Sequence, residues 1–167
     1  MNSLKPILLV EDSRKDVELT LAALEESQVA NKVVVLHDGA QAVSYLRTCV
    51  EGKSQDGLPV VILLDIKMPK VSGTEVLKFI KTDPQFNQIP VVMLTSSREG
   101  PDIDACYRLG VNAYVVKPVD FDGFFKAIKD VGRFWAVVNQ PPTLPETIAA
   151  GEVVGAGTAG AKNVPGK

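Results

Sequence analysis

The chain has 167 residues, room for one ordinary domain and little more at roughly 100–200 residues per domain. Its 18 basic and 20 acidic residues leave a net charge of −2, which excludes a blanket attraction to nucleic acid or to anionic membrane. Hydrophobic residues make up 46 %, which excludes a wholly disordered chain. In chain order, Ile7-Leu8-Leu9-Val10 is an unbroken apolar run, the pattern of a strand buried on both faces. Ser13 and Asp16 follow with capping-box spacing, and Val17, Leu21 and Leu24 at i, i+4 and i+7 predict a helix. Val33–Leu36 predicts a second strand, Ala40–Cys49 a second helix and Val60–Leu64 a third strand. Ser72 and Glu75 repeat the cap signature before Val76, Leu77 and Ile80. Val91–Leu94 and Ala113–Val116 complete the strands, with a short helix over Asp102–Leu109 between them and a last helix over Phe121–Val138.

Strands alternating with helices, and apolar throughout rather than every second residue, predict an α/β fold: a parallel five-stranded sheet covered on both faces, doubly wound. In such folds the site lies beyond the carboxyl ends of the strands. Those ends carry Glu11-Asp12, Asp65, Thr95-Ser96 and Lys117-Pro118. Three clustered carboxylates repel one another unless a cation joins them, and hard oxygen ligands suit Mg²⁺. A divalent cation, a lysine and a hydroxyl around one carboxylate suit the binding of a phosphoryl group on that carboxylate.

Val10-Glu11-Asp12-Ser13, Leu64-Asp65-Ile66-Lys67-Met68-Pro69 with Gly73, Leu94-Thr95-Ser96, and Tyr114-Val115-Val116-Lys117-Pro118 together closely resemble a response-regulator receiver domain, over about residues 5–138. The resemblance implies a flavodoxin-like (βα)5 fold with strand order 2-1-3-4-5, the order given for a receiver among known doubly wound folds. It implies that Asp65 is the phosphoacceptor, taking a phosphoryl group from a sensor histidine kinase in a self-catalysed transfer followed by autodephosphorylation, and not a conventional enzyme's turnover. Asp12, Glu11, Asp65 and the backbone carbonyl of Lys67 would hold Mg²⁺, whose charge offsets that developing on the transferred oxygens. Lys117 would hold Asp65 before transfer and a phosphate oxygen afterwards. Thr95 would bond another phosphate oxygen, and its movement would let Tyr114 turn inward as the switch. Lys67 departs from the Asn or small polar residue common at that position, so an altered autodephosphorylation rate is expected, with Ser97 as a second residue tuning it.

Three rival functions are weaker. A phosphatase of the haloacid dehalogenase type wants a second aspartate two residues after the nucleophile, where this chain has Lys67. A flavodoxin-like nucleotide binder wants a Ser/Thr/Gly-rich loop after the first strand, where Glu11-Asp12 repels phosphate. A receiver-like interaction module without phosphorylation gains no support while all five chemical groups are present. His37 is expected to be structural or at the surface, and Cys49 and Cys106 to be packing residues. The two cysteines lack metal or redox spacing, no apolar run approaches the ~18 residues of a bilayer span, and the start Met1–Pro6 carries no signal-peptide pattern. A reduced, cytoplasmic protein follows.

The folded unit is expected over residues 4–139. Residues 141–167 hold 5 Gly, 4 Pro and 5 Ala, the composition of an extended or disordered tail over 140–167. That remainder is too short and too neutral for a DNA-binding output domain, so a stand-alone regulator signalling by protein contact is expected. In the last helix Phe121, Phe124, Phe125, Ile128 and Trp135 form a stripe expected to face the sheet. Ala127, Val131, Phe134 and Val138 form a second stripe, expected to be a homodimer face. Phe134-Trp135 with the following Pro-Pro, and the long Glu51–Pro59 loop, resemble the small regulators paired with bacterial phytochrome kinases.

Overall fold

The computed structural model describes residues 4–142, so of the tail expected over 140–167 all but residues 140–142 lies outside the described residues. Strands β1 (Ile7–Val10), β2 (Val33–Leu36), β3 (Val61–Leu64), β4 (Val91–Thr95) and β5 (Ala113–Val116) alternate with helices α1 (Arg14–Glu26), α2 (Gly39–Val50), α3 (Gly73–Thr82), α4 (Gly100–Arg108) and α5 (Phe121–Arg133). All strand pairs are parallel, in the order β2-β1-β3-β4-β5. The central strands β1, β3 and β4 are buried at every residue, whereas the edge strands β2 and β5 are half-buried. An edge strand has a neighbour on one side only, so an equally apolar run there keeps some contact with solvent.

The two-residue period of the strands divides the core in two. Leu8, Val10, Ile62, Leu64, Val91 and Met93 face α2, α3 and α4, packing on Ala42, Leu46, Val76, Leu77, Ile80 and Cys106. Ile7, Leu9, Val61, Leu63, Val92 and Leu94 face α1 and α5, packing on Val17, Leu24, Phe124 and Ile128. Each fully buried Leu, Ile or Val side chain contributes about 1.5–3 kcal/mol, so the two apolar layers dominate the stability of the fold.

Both predicted cap sites start helices. Ser13 Oγ accepts the Asp16 N–H at 3.3 Å, and Ser72 with Glu75 forms the full reciprocal capping box. The strand and helix limits shift by one or two residues: β3 starts at Val61, β4 extends to Thr95, and α4 starts at Gly100, with Pro101 in its first turn, and ends at Arg108.

The last helix departs further from expectation. It is α-helical only to Arg133 and ends in a π turn over Phe134–Val138, closed by the Asn139 N–H donating to the Phe134 carbonyl at 2.7 Å. Phe121, placed in the sheet-facing stripe, is instead 57 % exposed, because as the first residue of α5 it lies off the core and stacks on Phe125, 5.3 Å between ring centroids. Of the second stripe, Val131 packs against the α1/α5 side of the core, while Phe134 and Val138 are exposed together with Val137. Ala127, Val131, Phe134 and Val138 therefore do not form one open face.

Candidate functional site at the carboxyl edge of the sheet

Register brings the acidic residues together. Val10 is paired with Leu64, so Glu11 and Asp65, the next residues on β1 and β3, emerge side by side. The ladder runs one step further on each strand: the Glu11 N–H donates to the Leu36 carbonyl, the Asp65 N–H to the Val10 carbonyl and the Lys117 N–H to the Thr95 carbonyl, at 3.0, 3.0 and 2.8 Å. Carboxylate oxygens of Glu11, Asp12 and Asp65 all lie within 4.8 Å of one another. Glu11 and Asp65 are buried, and Asp12 is exposed at the mouth. Burial raises the pKa of both Glu11 and Asp65, against the lowering pull of Lys117. Such a set, with one face open and only oxygen donors, fits a hard divalent cation that retains several waters.

The Asp65 carboxylate is oriented by its own loop. Its Oδ1 accepts the Ile66 N–H at 2.8 Å, and Thr95, fully buried at the end of β4, lies beside it and favours the charged form. The Gly73 N–H donates to the Ile66 carbonyl at 2.9 Å, and a Cβ on Gly73 would overlap the Asp65 backbone carbonyl. Only glycine lets the start of α3 lie this close to the β3–α3 loop, which explains its place in the sequence motif. Lys67, on that loop, has an exposed side chain.

Lys117 is arranged differently from expectation. Its Nζ donates to Glu11 Oε2 at 2.5 Å and to Asp16 Oδ2 at 2.7 Å, and acts on Asp65 through charge rather than through a hydrogen bond. Burial alone would lower the ammonium pKa, but the Asp16 and Glu11 carboxylates, with Asp65 nearby, leave it above its ordinary value. Each Glu11 oxygen accepts one hydrogen bond, since its Oε1 takes the Ser13 N–H at 2.9 Å. Asp16 is the site residue that sequence reasoning missed, having been assigned only to the helix cap. Its repeat of the acidic pattern one turn into α1, on the side of the first strand's carboxyl end, was the available signal.

Tyr114 is half-buried and its hydroxyl donates to the Ser97 carbonyl at 3.1 Å, tying β5 to the β4–α4 loop. Ser97 is buried, its N–H donates to Thr95 Oγ1 at 3.3 Å, and its own hydroxyl donates to Asp102 Oδ2 at 2.5 Å. Thr95, Ser97 and Tyr114 are thus one connected set. His37 Nδ1 lies 3.3 Å from the Glu11 carbonyl and touches no carboxylate of the site. Cys49 and Cys106 are both buried free thiols.

A five-stranded 2-1-3-4-5 sheet with this acidic cluster, hydroxyl and lysine at its carboxyl edge defines a class, and comparison with known proteins places the chain in it. Residues 7–129 match the response regulator receiver domain family, and the chain belongs to that family. The response regulator Rcp1 of Synechocystis sp. is 39 % identical over 134 residues, covering 80 % of this chain and 90 % of Rcp1. The Mn(2+)-bound form of Rcp1 superposes with a TM-score of 0.76 at 36 % identity, covering 83 % of this chain and 99 % of that one. The phosphorylated cyanobacterial phytochrome response regulator RcpA gives a TM-score of 0.78 at 39 % identity, over 84 % of this chain and 100 % of that one. The bacteriophytochrome response regulator AtBRR gives a TM-score of 0.65 at the higher identity of 55 %, over 83 % of this chain and 100 % of that one.

Proposed function

We propose that the protein is a response regulator that accepts a phosphoryl group on Asp65 from a sensor histidine kinase, in a Mg²⁺-dependent reaction, and that the kinase is a bacterial phytochrome. The observation that carries the proposal is the cluster of Glu11, Asp12 and Asp65 oxygens within 4.8 Å at the carboxyl edge, beside Lys117. A carboxylate oxygen of Asp65 attacks phosphorus as the bond from phosphorus to the histidine nitrogen breaks, and the leaving imidazole keeps the electron pair. Glu11, Asp12, Asp65 and the Lys67 carbonyl would hold Mg²⁺, which supplies charge neutralisation for the transferred oxygens. The Ile66 N–H fixes the rotation of the Asp65 carboxylate, and Thr95 stands beside it to receive a phosphate oxygen. Lys117 supplies the fixed positive charge for another. The Tyr114–Ser97 bond couples Thr95 to the surface beside α4, so a change at Asp65 reaches a face that a partner can contact. The protein acts in the cytoplasm by protein contact, and pairs with a second copy through the exposed Phe134, Val137 and Val138 of the π turn.

Similarity to the cyanobacterial phytochrome response regulator RcpA and the bacteriophytochrome response regulator AtBRR supports the choice of kinase class. Phosphotransfer profiling against a panel of purified histidine kinases tests it. Fastest transfer from bacteriophytochrome kinases, absent in Asp65→Asn, is expected; preference for a kinase without a bilin-binding photosensor would refute the light-signalling assignment.

A further inference from the structure

We infer that Asp16 is a positioning residue that keeps Lys117 back from Asp65 until a phosphoryl group arrives, and so sets the threshold for occupation of the site. The inference rests on the assignment of Asp65 as the phosphoacceptor. Three observations lead to it. First, the Asp16 carboxylate has no capping duty: Ser13 is served by the Asp16 backbone N–H and by Glu11 Oε1, while the Asp16 side chain turns to Lys117 Nζ at 2.7 Å. Second, the Lys117 side chain is only 9 % exposed, and its recorded hydrogen bonds among the described residues go to Glu11 and Asp16. Third, its two partners differ in burial, with the Glu11 side chain 3 % exposed and that of Asp16 27 % exposed.

The difference in burial decides which partner can be released. A buried carboxylate stripped of its cation loses solvation that nothing replaces, so Glu11 needs Lys117 or a metal ion beside it. Asp16 reaches water and can be rehydrated when Lys117 leaves. Before phosphorylation, one ammonium serves three carboxylates, Glu11, Asp16 and Asp65, and it stays with the two it hydrogen-bonds. A phosphoryl group on Asp65 adds negative charge and strong acceptor oxygens, and Lys117 then swings from Asp16 toward them. Asp16 therefore stabilises the unphosphorylated arrangement and is the contact surrendered on activation. Asp16 lies outside the cluster of Glu11, Asp12 and Asp65 oxygens and bonds Lys117, so it acts through Lys117.

The test uses beryllium trifluoride with Mg²⁺, a mimic of the phosphorylated aspartate, titrated into the full chain and followed by ¹⁹F NMR. Asp16→Asn should bind the mimic about three- to tenfold more tightly than the native protein, the range of a partly exposed, hydrogen-bonded ion pair. Asp16→Glu, which keeps the charge, should stay within about twofold of native by the same reasoning. Glu18→Gln removes a carboxylate of α1 that pairs with Arg14 and not Lys117, and should leave the affinity unchanged. A merely structural role for Asp16 would weaken the mimic and Mg²⁺ together; the positioning role tightens the mimic alone. Equal or weaker binding of the mimic by Asp16→Asn, or tightening matched by Glu18→Gln, would overturn the inference. No binding by the native protein would overturn the phosphoacceptor assignment and the inference with it.

Discussion

Replacing Gly73 by alanine tests whether the site depends on the close approach of α3 to the acceptor loop. Gly73 opens α3, and an added Cβ there would meet the Asp65 carbonyl oxygen, with the Asp65 carbonyl carbon at 2.8 Å and the Ile66 Cα at 2.9 Å. All three are backbone atoms, and non-bonded carbons prefer roughly 3.5–4.0 Å, so the loop must withdraw by nearly 1 Å. Forced repacking costs about 1–3 kcal/mol, and the Gly73 N–H bond to the Ile66 carbonyl, 2.9 Å long, is lost or stretched at about 1 kcal/mol more. The sum is about 2–4 kcal/mol. Urea denaturation, at a slope of about 2 kcal/mol per molar for a small domain, should show the midpoint falling by about 1–2 M. Gly132→Ala provides the contrast, since its Cβ would meet the Leu24 side chain, which can move, and alanine gains about 1 kcal/mol of helix propensity. A Gly73→Ala loss below about 1 kcal/mol, or one no larger than that of Gly132→Ala, would refute the argument.

Further outcomes follow from the rest of the fold. The Tyr45 hydroxyl is buried without a hydrogen-bond partner among the described residues, and burial pushes its pKa up to about 12. Tyr45→Phe removes that unpaired group and should stabilise the protein by about 1 kcal/mol in urea denaturation, together with loss of the high-pH phenolate transition. The Gln41 N–H, then Lys70, hold the Asp38 carboxyl below the ordinary aspartate value. Its stabilisation is thus full above the unfolded-state pKa and is lost as the pH falls through the lower folded-state value. Thermal melting against pH should show Asp38→Asn less stable than native at neutral pH, with the two curves converging in acid; a constant gap would contradict the assignment. Phe134→Asp should convert a dimer to a monomer in sedimentation while leaving the melting temperature nearly unchanged, and an unaltered dimer would exclude the Phe134, Val137 and Val138 surface.

The strands and their chemistry were legible because a central parallel strand must be apolar on both faces, and the first polar residue after each run marks its carboxyl end. Glu11, Asp65 and Lys117 were found in this way, and parallel register then brings β1 and β3 together. The contact between Asp16 and Lys117 was not legible, because it joins α1 to the end of β5 across 101 positions and depends on helix placement. A single-sequence pattern registers only that Asp16 fits a cap. Phe121 was misassigned because helical periodicity gives direction around an axis but not where the helix overhangs the sheet. The π turn at Phe134–Val138 escaped for a related reason: one extra residue in a turn shifts the exposed face without altering the apolar composition. The half-burial of β2 and β5 follows from strand order, which the runs themselves do not encode.

The most direct test of the central claim is to incubate the full chain with acetyl phosphate and Mg²⁺, reduce any aspartyl phosphate to homoserine with borohydride, and locate that residue by mass spectrometry. The account predicts a single acyl phosphate on Asp65, formed only with the divalent cation, abolished by chelation and absent from Asp65→Asn. Modification of Asp12 or Glu11 in the native protein, or undiminished labelling of Asp65→Asn, would contradict it.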